Sequence, residues 1–241
     1  MIEQIEALIQ VKDEIYKSKQ NGIENFEFNE NVTKVFPDMI RRSIPGYETI
    51  VAVSGLIAWN KIIKGTNCYD LGCSRGATTS SIVQTIGNRP CTIHAVDNSS
   101  SMVSIAQKEI TDPRVRLRNS DINDISITNA SAVFLNFTLQ FIDPAIREQL
   151  LRKIYLGCRP GAILVLSEKV ITGAEYENLH LQFKKQNGYS QLEISQKRDA
   201  LENVMRIDEV ETLETNLTKA GFTNIRIWFR CLNWVSILAD K

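Results

Sequence analysis

The chain predicts an α/β fold: a doubly wound, mostly parallel seven-stranded sheet with a terminal antiparallel strand, plus helices at the N-terminus and late in the chain. Three observations carry this. From residue 67 to 167, apolar runs of strand length alternate with helix-length segments, the pattern of right-handed crossovers between parallel strands. The first run, Cys68-Tyr69-Asp70-Leu71, enters a turn of small residues, Gly72-Cys73-Ser74-Arg75-Gly76, that opens a helix. Two closely spaced runs, 223–229 and 233–239, end the chain as an antiparallel pair would.

Each element has its own signal. Residues 1–20 place Ile2, Ile5, Leu8, Ile9 and Ile15 at near-helical spacing amid charges and predict an amphipathic helix. Segment 28–63 also reads as helical, broken by Pro45-Gly46, with a long helix from about Glu48 to Ile63, forming a lid or cap before the first strand. Strands follow at 67–71, 91–96, 114–118, 131–136 and 162–167, with helices at 77–86, 100–110 and 144–157. Arg114, Arg116 and Arg118 alternate with Val115 and Leu117, so the three cations share one side of a strand; charged protection of a sheet edge is favoured over a nucleic-acid stripe. Helical stretches near 175–186, 191–204 and 208–219 precede the terminal pair. One domain over 1–241, with a helical cap at 1–63 and a helical insertion at 175–220, is the simplest organisation.

Composition narrows the function. A chain of 241 residues buries roughly 70–75% of its unfolded surface, enough for one sizeable core. Twenty-eight basic residues balance 28 acidic ones, leaving no global field to draw the protein onto a polyanion. The cysteines at 68, 73, 91, 158 and 231 form no Cys-x-x-Cys pair, and several sit in apolar runs; a reducing cytoplasm and no structural zinc are expected. No apolar run reaches membrane-spanning length, and Glu3 and Glu6 stand where a signal peptide would be basic, so a soluble, unprocessed protein is expected.

The turn after the first strand admits several readings. Glycines at 72 and 76 allow close backbone approach, and the helix from Ala77 presents unpaired N–H groups. Asp97 lies 21 residues beyond Gly76, after a second apolar run, where a carboxylate can accept both hydroxyls of a ribose. A dinucleotide fingerprint would need glycine where Ser74 stands. Gly72-x-Ser74-x-Gly76 also matches a hydrolase nucleophile elbow, but only His94 and His180 exist and no oxyanion-hole string precedes the loop. A third reading is a loop for S-adenosylmethionine (SAM), in which Asp70 could meet the ligand's amino-acid end; the fourth is a packed turn with no ligand. Cys73, at a helix N-terminus, could be an acidified thiol or a plain small turn residue.

Open parallel sheets bind ligands beyond the carboxyl ends of their strands. Gly72, Cys73 and Ser74 follow the first strand, Asp97 and Asn98 the second, Asp121 and Ile122 the third, and Asn136 ends the fourth. Asp121 could take an adenine amino group while Ile122 packs on the ring. Each position alone is an ordinary cap or turn residue, but together they describe an adenosyl pocket. A sulfonium ligand needs no diphosphate clamp, in keeping with the missing central glycine and with the absence of a Gly-x-x-x-x-Gly-Lys loop.

Asp70-Leu71-Gly72-Cys73-Ser74, Asp97-Asn98-Ser99, the run from Leu135 to Phe141 and Pro160-Gly161 resemble class I SAM-dependent methyltransferases, with their Rossmann-like fold. The run from Val35 to Tyr47, Asn187-Gly188-Tyr189-Ser190 and the run from Leu192 to Arg198 resemble the bacterial carboxy-S-adenosyl-L-methionine (carboxy-SAM) synthase family. The resemblance runs from about residue 26 to the end; residues 1–25 and the stretch near 170–182 look unlike that family. It implies an enzyme that converts SAM and prephenate to carboxy-SAM and phenylpyruvate, the donor with which a separate carboxymethyltransferase modifies the wobble uridine of tRNA. It also implies a cytoplasmic homodimer without metal, membrane contact or nucleic acid of its own.

By the family's pattern Tyr47, Gly72, Cys73, Ser74, Asp97, Asn98, Asp121, Ile122, Asn136 and Arg198 hold the adenosyl ligand. Arg198 also has the catalytic role of gripping the new carboxylate with two parallel hydrogen bonds. The family's chemistry has carbon dioxide from prephenate trapped by a sulfonium ylide in a dry pocket. No protein base stands in the motifs, and prephenate's leaving hydroxyl is the expected proton acceptor. Two rivals share the cofactor: an ordinary small-molecule methyltransferase, and a non-catalytic adenosyl-binding partner of another enzyme.

Overall fold

A computed structural model describes residues 11–241. Helices α1 (Glu30–Ser43) and α2 (Tyr47–Lys61) precede strand β1 (Asn67–Leu71), followed by α3 (Ala77–Ile86), β2 (Thr92–Asp97), α4 (Ser100–Glu109), β3 (Val115–Asn119) and β4 (Ala130–Asn136). A 3-10 turn at Leu139–Phe141 leads to α5 (Pro144–Gly157) and β5 (Cys158–Lys169). Helices α6 (Ala174–Gln186), α7 (Gln191–Leu201) and α8 (Val210–Ala220) then lead to β6 (Thr223–Cys231) and β7 (Trp234–Asp240).

The seven strands lie in the order β3-β2-β1-β4-β5-β7-β6. Neighbours are parallel from β3 to β5, and β7 is antiparallel to both β5 and β6. Chain order reverses between β1 and β4, which opens a crevice beyond their carboxyl ends. Alternation along each strand sorts the core into two faces. Val133 and Leu135 of β4 join Leu71, Leu164 and Leu166 against α5 and α8, while Ala132 and Phe134 join Cys68, Ile163 and Val165 against α2 and α3. Because Ala58 and Ile62 sit in that second face, α2 flanks the sheet beside α3 rather than covering its end as a lid.

The edge reading of the arginine strand holds. β3 is the outermost strand, and Arg116 and Arg118 are exposed on it. Arg114 lies just before the strand, where its guanidinium grips Asp112 at 2.7 Å.

The N-terminal helix does not extend into the described residues. Ile2, Ile5, Leu8 and Ile9 lie outside them, and 11–20 holds turns and irregular backbone. The reason is competition for backbone groups. The Asp13 N–H donates to Asp38 at 2.7 Å and its C=O accepts from Arg42 at 3.1 Å; Gln196 accepts from the Gln20 N–H and donates to the carbonyls of Tyr16 and Ser18. Side chains of α1 and α7 thus hold groups that a helix would have paired within itself. Tyr16 and Phe26 of this segment pack with Val35, Met39, Met102 and Ala200 in a third apolar cluster.

Candidate functional site

The turn after β1 has the geometry that its small residues imply. Gly72, Ser74 and Gly76 all have positive φ, at 77°, 50° and 83°. A Cβ on Gly72 would stand 2.1 Å from Thr138 Oγ1, so the position excludes every other residue unless Thr138 yields. The N–H groups of Gly72 and Cys73 both donate to the Val96 carbonyl, at 2.8 and 3.0 Å, which ties the turn to the end of β2.

Arg75 ties the same turn to α1. Pro37 lies inside α1 and has no N–H, so the Thr33 carbonyl one turn earlier loses its helical partner; the Arg75 guanidinium donates to that carbonyl at 3.4 Å. Arg75 also pairs with Glu109 at the end of α4.

Asp97 closes the crevice from the β2 side. One of its carboxylate oxygens accepts the Ser74 N–H at 2.8 Å and the other accepts the Ser99 N–H at 2.9 Å. Burial pushes its carboxyl up, and those two N–H groups oppose the shift. Each oxygen keeps a second lone pair for a ligand hydroxyl. Asn98 is exposed at the rim. Asp121 closes its own turn, accepting the Asn123 N–H at 2.7 Å and leaving its other oxygen free. Ile122 departs from the expectation of packing on a ring: its side chain is 5% exposed and belongs to the sheet core. Its backbone, held by Lys153 Nζ at its carbonyl at 2.9 Å, is what it can offer at the crevice.

Asp70, expected to meet the ligand's amino-acid end, is 1% exposed and accepts the Thr79 hydroxyl at 2.6 Å. Burial pushes its carboxyl up to about 6, against the hydrogen bonds from Thr79. Asn136 is likewise committed inside the protein. Its Oδ1 accepts from Ser167 at 2.6 Å, its amide nitrogen donates to Ser54 and Thr78 at 3.3 Å each, and Ser167 continues to Ser236. Asn136 is therefore the hub of a buried hydroxyl network joining α2, α3, β5 and β7 beneath the crevice.

Two floor residues were given no role of their own from sequence. Thr138 shares its single hydroxyl proton between the carbonyls of Leu71 and Asn136, at 3.1 and 3.0 Å, pinning β1 to β4 where the crevice opens. Glu168, 2% exposed at the end of β5, accepts the N–H groups of Thr138, Leu139 and Gln140 at 3.1, 2.8 and 3.0 Å. Burial pushes its carboxyl up to about 8 while these three donors favour the charged form. The only sequence signal is a carboxylate closing an apolar strand, in Leu164-Val165-Leu166-Ser167-Glu168.

An aromatic wall leads away from the crevice. Tyr47 packs on Phe137 with centroids 5.7 Å apart, and Phe137 meets Trp234 edge-on at 5.6 Å. Burial, with the charge of Asp70 nearby, raises the Tyr47 hydroxyl to about 12. Trp234 meets His180, whose Nε2 lies 2.8 Å from the Ser43 carbonyl and whose Nδ1 lies 3.1 Å from the Asn233 amide nitrogen. Burial drives His180 down to about 3, with Lys184 adding to the shift, so its ring is neutral. Arg198 is exposed in the last turn of α7 and has no hydrogen-bond or ion-pair partner among the described residues; its charge is felt by Lys184.

These positions decide several earlier alternatives. The Ser74 hydroxyl faces Met102 Sδ at 3.3 Å, His94 stacks on Tyr69 at 4.7 Å and His180 is committed to Ser43, so the hydrolase triad does not assemble. Cys73 is a plain turn residue: it is 5% exposed, and burial, with Asp70 and Asp97 close by, holds its thiol protonated against the pull of the helix end. All five cysteines are free thiols. Among the described residues no group of three or more His, Cys, Asp or Glu could hold a metal, and no helix is long and apolar enough to cross a membrane.

Comparison with known proteins identifies the family and the fold. Residues 69–161 match the methyltransferase domain family. The chain is 49% identical to the carboxy-S-adenosyl-L-methionine synthase of Shewanella baltica (strain OS155 / ATCC BAA-1091), over 95% of its own length and 98% of that protein's. Among solved structures, a putative SAM-dependent methyltransferase of Methanococcus maripaludis superposes with a TM-score of 0.61 at 19% identity, covering 93% of this chain and 97% of that one. Human N-acetylserotonin methyltransferase in complex with SAM gives a TM-score of 0.58 at 16% identity, over 87% of this chain and 54% of that one. The structural likenesses establish the methyltransferase fold.

Proposed function

The chain belongs to the carboxy-S-adenosyl-L-methionine synthase family, and we propose that it is an enzyme converting SAM and prephenate to carboxy-SAM, phenylpyruvate and water. Prephenate gives up a carboxylate as carbon dioxide together with its ring hydroxyl. The carbon dioxide bonds to the methyl carbon of SAM, and the proton lost from that carbon leaves with the hydroxyl as water. Charge balances, since the dianionic substrate leaves one carboxylate on each product.

The observation that carries this reading is the turn at residues 72–76, held against Asp97 at the switch point of the sheet. Backbone comes close there, a carboxylate with spare lone pairs stands opposite, and no phosphate clamp is present, which suits an adenosyl sulfonium. In this reading Gly72, Cys73 and Ser74 support the amino-acid end. Asp97 and Asn98 hold the ribose, Asp121 and the Ile122 backbone meet the adenine, and Tyr47 closes the side toward the sulfonium. Asn136 acts from beneath, through the hydroxyl network. Arg198 takes the carboxylate that distinguishes carboxy-SAM from SAM.

The protein's part in the chemistry is positioning and exclusion of water. His180, neutral and hydrogen-bonded on both ring nitrogens, is not available as a base, so prephenate's hydroxyl takes the methyl proton. The product serves as donor for 5-oxyacetylation of wobble uridine in tRNA through a second, tRNA-binding enzyme. The balanced charge of this chain suits a protein that leaves the polyanion to that partner. It works in the cytoplasm as a homodimer, which light scattering across the working concentration range checks.

Mass spectrometry of small molecules after incubation with SAM, with and without prephenate, tests the activity. A species heavier than SAM by one carbon dioxide, formed only with prephenate, is expected. Unchanged SAM, or its demethylated product, would return the chain to a binding protein or an ordinary methyltransferase.

A further inference from the structure

Beyond the aromatic wall, cations from three separate elements converge, and among the described residues fewer carboxylates pair with them. Lys169 ends β5, Lys184 lies in the last turn of α6, and Lys197 and Arg198 lie near the end of α7. Lys169 has Glu177 at 3.5 Å, and Lys197 has Asp13 at 3.6 Å and the Ser43 hydroxyl at 3.1 Å. Lys184 has neither a hydrogen bond nor an ion pair among the described residues, although it is half-buried. Burial, together with the charges of Lys197, Lys169 and Arg198 and opposed by Glu177, brings its ammonium down to about 7. Burying an unpaired ammonium near three other cations is unfavourable, and an anion arriving from solution removes the penalty.

The cluster adjoins the proposed SAM crevice. Ser43 links them: its carbonyl meets His180 and its hydroxyl meets Lys197, while Tyr47 begins α2 just beyond. Lys184 lies one turn after His180 on α6, and His180 packs on Trp234, the far end of the wall that starts at Tyr47.

Resting on the functional reading above, we propose that Lys184, with Lys169 beside it, binds the carboxylate that the acidic co-substrate keeps through the reaction. The choice between the two carboxylates of that substrate follows from charge. The departing group loses its charge as carbon dioxide forms, and an ammonium upon it would stabilise the ground state more than the transition state. The pyruvyl carboxylate keeps its charge from substrate to phenylpyruvate, so a fixed cation can hold it without slowing the reaction. Arg198 then takes the carboxylate newly made on SAM, and the two cations divide the two anionic groups of the products.

The test is Lys184→Met in the full chain, read by three constants. The KM for prephenate and the inhibition constant of phenylpyruvate should rise together, by about 10- to 100-fold for a lost charge-assisted contact. The dissociation constant of SAM should stay within about twofold, and Lys184→Arg should retain most of the affinity for both acids. An unchanged KM and inhibition constant, or a parallel loss of SAM affinity, overturns the assignment. If Lys184→Met fails to fold, Lys184→Gln is read in the same way. Should the wild-type chain make no carboxy-SAM at all, the functional reading fails, and the site is then judged by thermal unfolding with phenylpyruvate as probe. Protection of the wild type that disappears in Lys184→Met upholds an anion site there, whereas no protection, or equal protection of both, overturns it.

Discussion

Replacing Gly72 by alanine strikes the turn where two constraints meet. The residue sits at φ 77°, where an L side chain costs about 1–2 kcal/mol. The added methyl would stand 2.1 Å from Thr138 Oγ1, an atom already donating to the carbonyls of Leu71 and Asn136. Thr138 must turn away and surrender that shared bond, with a net value of about 1 kcal/mol. Gly72→Ala should therefore destabilise the protein by about 2–3 kcal/mol, lowering the thermal midpoint by roughly 4–12 °C for a chain of this size. The displaced turn should also weaken SAM binding by at least about tenfold.

A double-mutant cycle separates the two causes. Thr138→Ala alone loses the same shared bond, so the pair Gly72→Ala with Thr138→Ala should be less destabilised than the sum of the single variants, by about 1 kcal/mol. Thermal unfolding and SAM titration of the four proteins suffice. Strict additivity, or a Gly72→Ala variant with wild-type midpoint and affinity, would refute the account of the turn.

Three further outcomes are expected. Arg198→Ala should lose affinity for carboxy-SAM by about 2 kcal/mol or more, roughly 30-fold, with much less effect on SAM; equal losses in calorimetric titrations would remove its carboxylate role. Glu168→Gln should destabilise the fold by about 1–3 kcal/mol, because an amide nitrogen would face at least one of the three N–H groups that the carboxylate now accepts; an unchanged unfolding midpoint would contradict this. His180 gives a pH effect whose sign follows from its depression from 6.5 to about 3. Above pH 6.5 folded and unfolded chains are both neutral there; below it only the unfolded chain takes the proton, so stability falls as pH drops toward 3, by about 2 kcal/mol between pH 7 and 5. Buried Glu168 and Asp70, both raised, act in the opposite sense over this range, so the histidine is isolated by difference: in urea unfolding at those two pH values the wild type should lose about 2 kcal/mol more than His180→Gln, and equal changes would place the titration elsewhere.

Local rules read most of the fold correctly, because most of it obeys them. Alternating apolar runs from Asn67 to Ser167, the Pro45-Gly46 break and the small-residue turn are each recorded over a few neighbouring residues, and strands and helices formed within a few residues of those signals. Which strand ends meet around the crevice was equally legible, since a parallel sheet makes the ends of its strands neighbours whatever their separation in sequence. Composition and motif reached the adenosyl class for the same reason: a turn that must carry positive φ admits few residue types.

Where partners lie far apart in the chain, the sequence had nothing to say. Residues 1–20 are helix-like in spacing, yet within 11–20 Asp38, Arg42 and Gln196 claim backbone groups from as far as 180 positions away. Ile122, Asp70 and Asn136 occupy the positions expected of site residues but turn their side chains into the core, to Thr79 or to Ser167. Glu168 and Thr138 emerged only with the tertiary structure, as did the convergence of Lys169, Lys184 and Lys197 from three elements. The physical reason is that propensity and periodicity act between neighbours along the chain, whereas desolvation and charge depend on whatever the finished fold brings within a few ångströms.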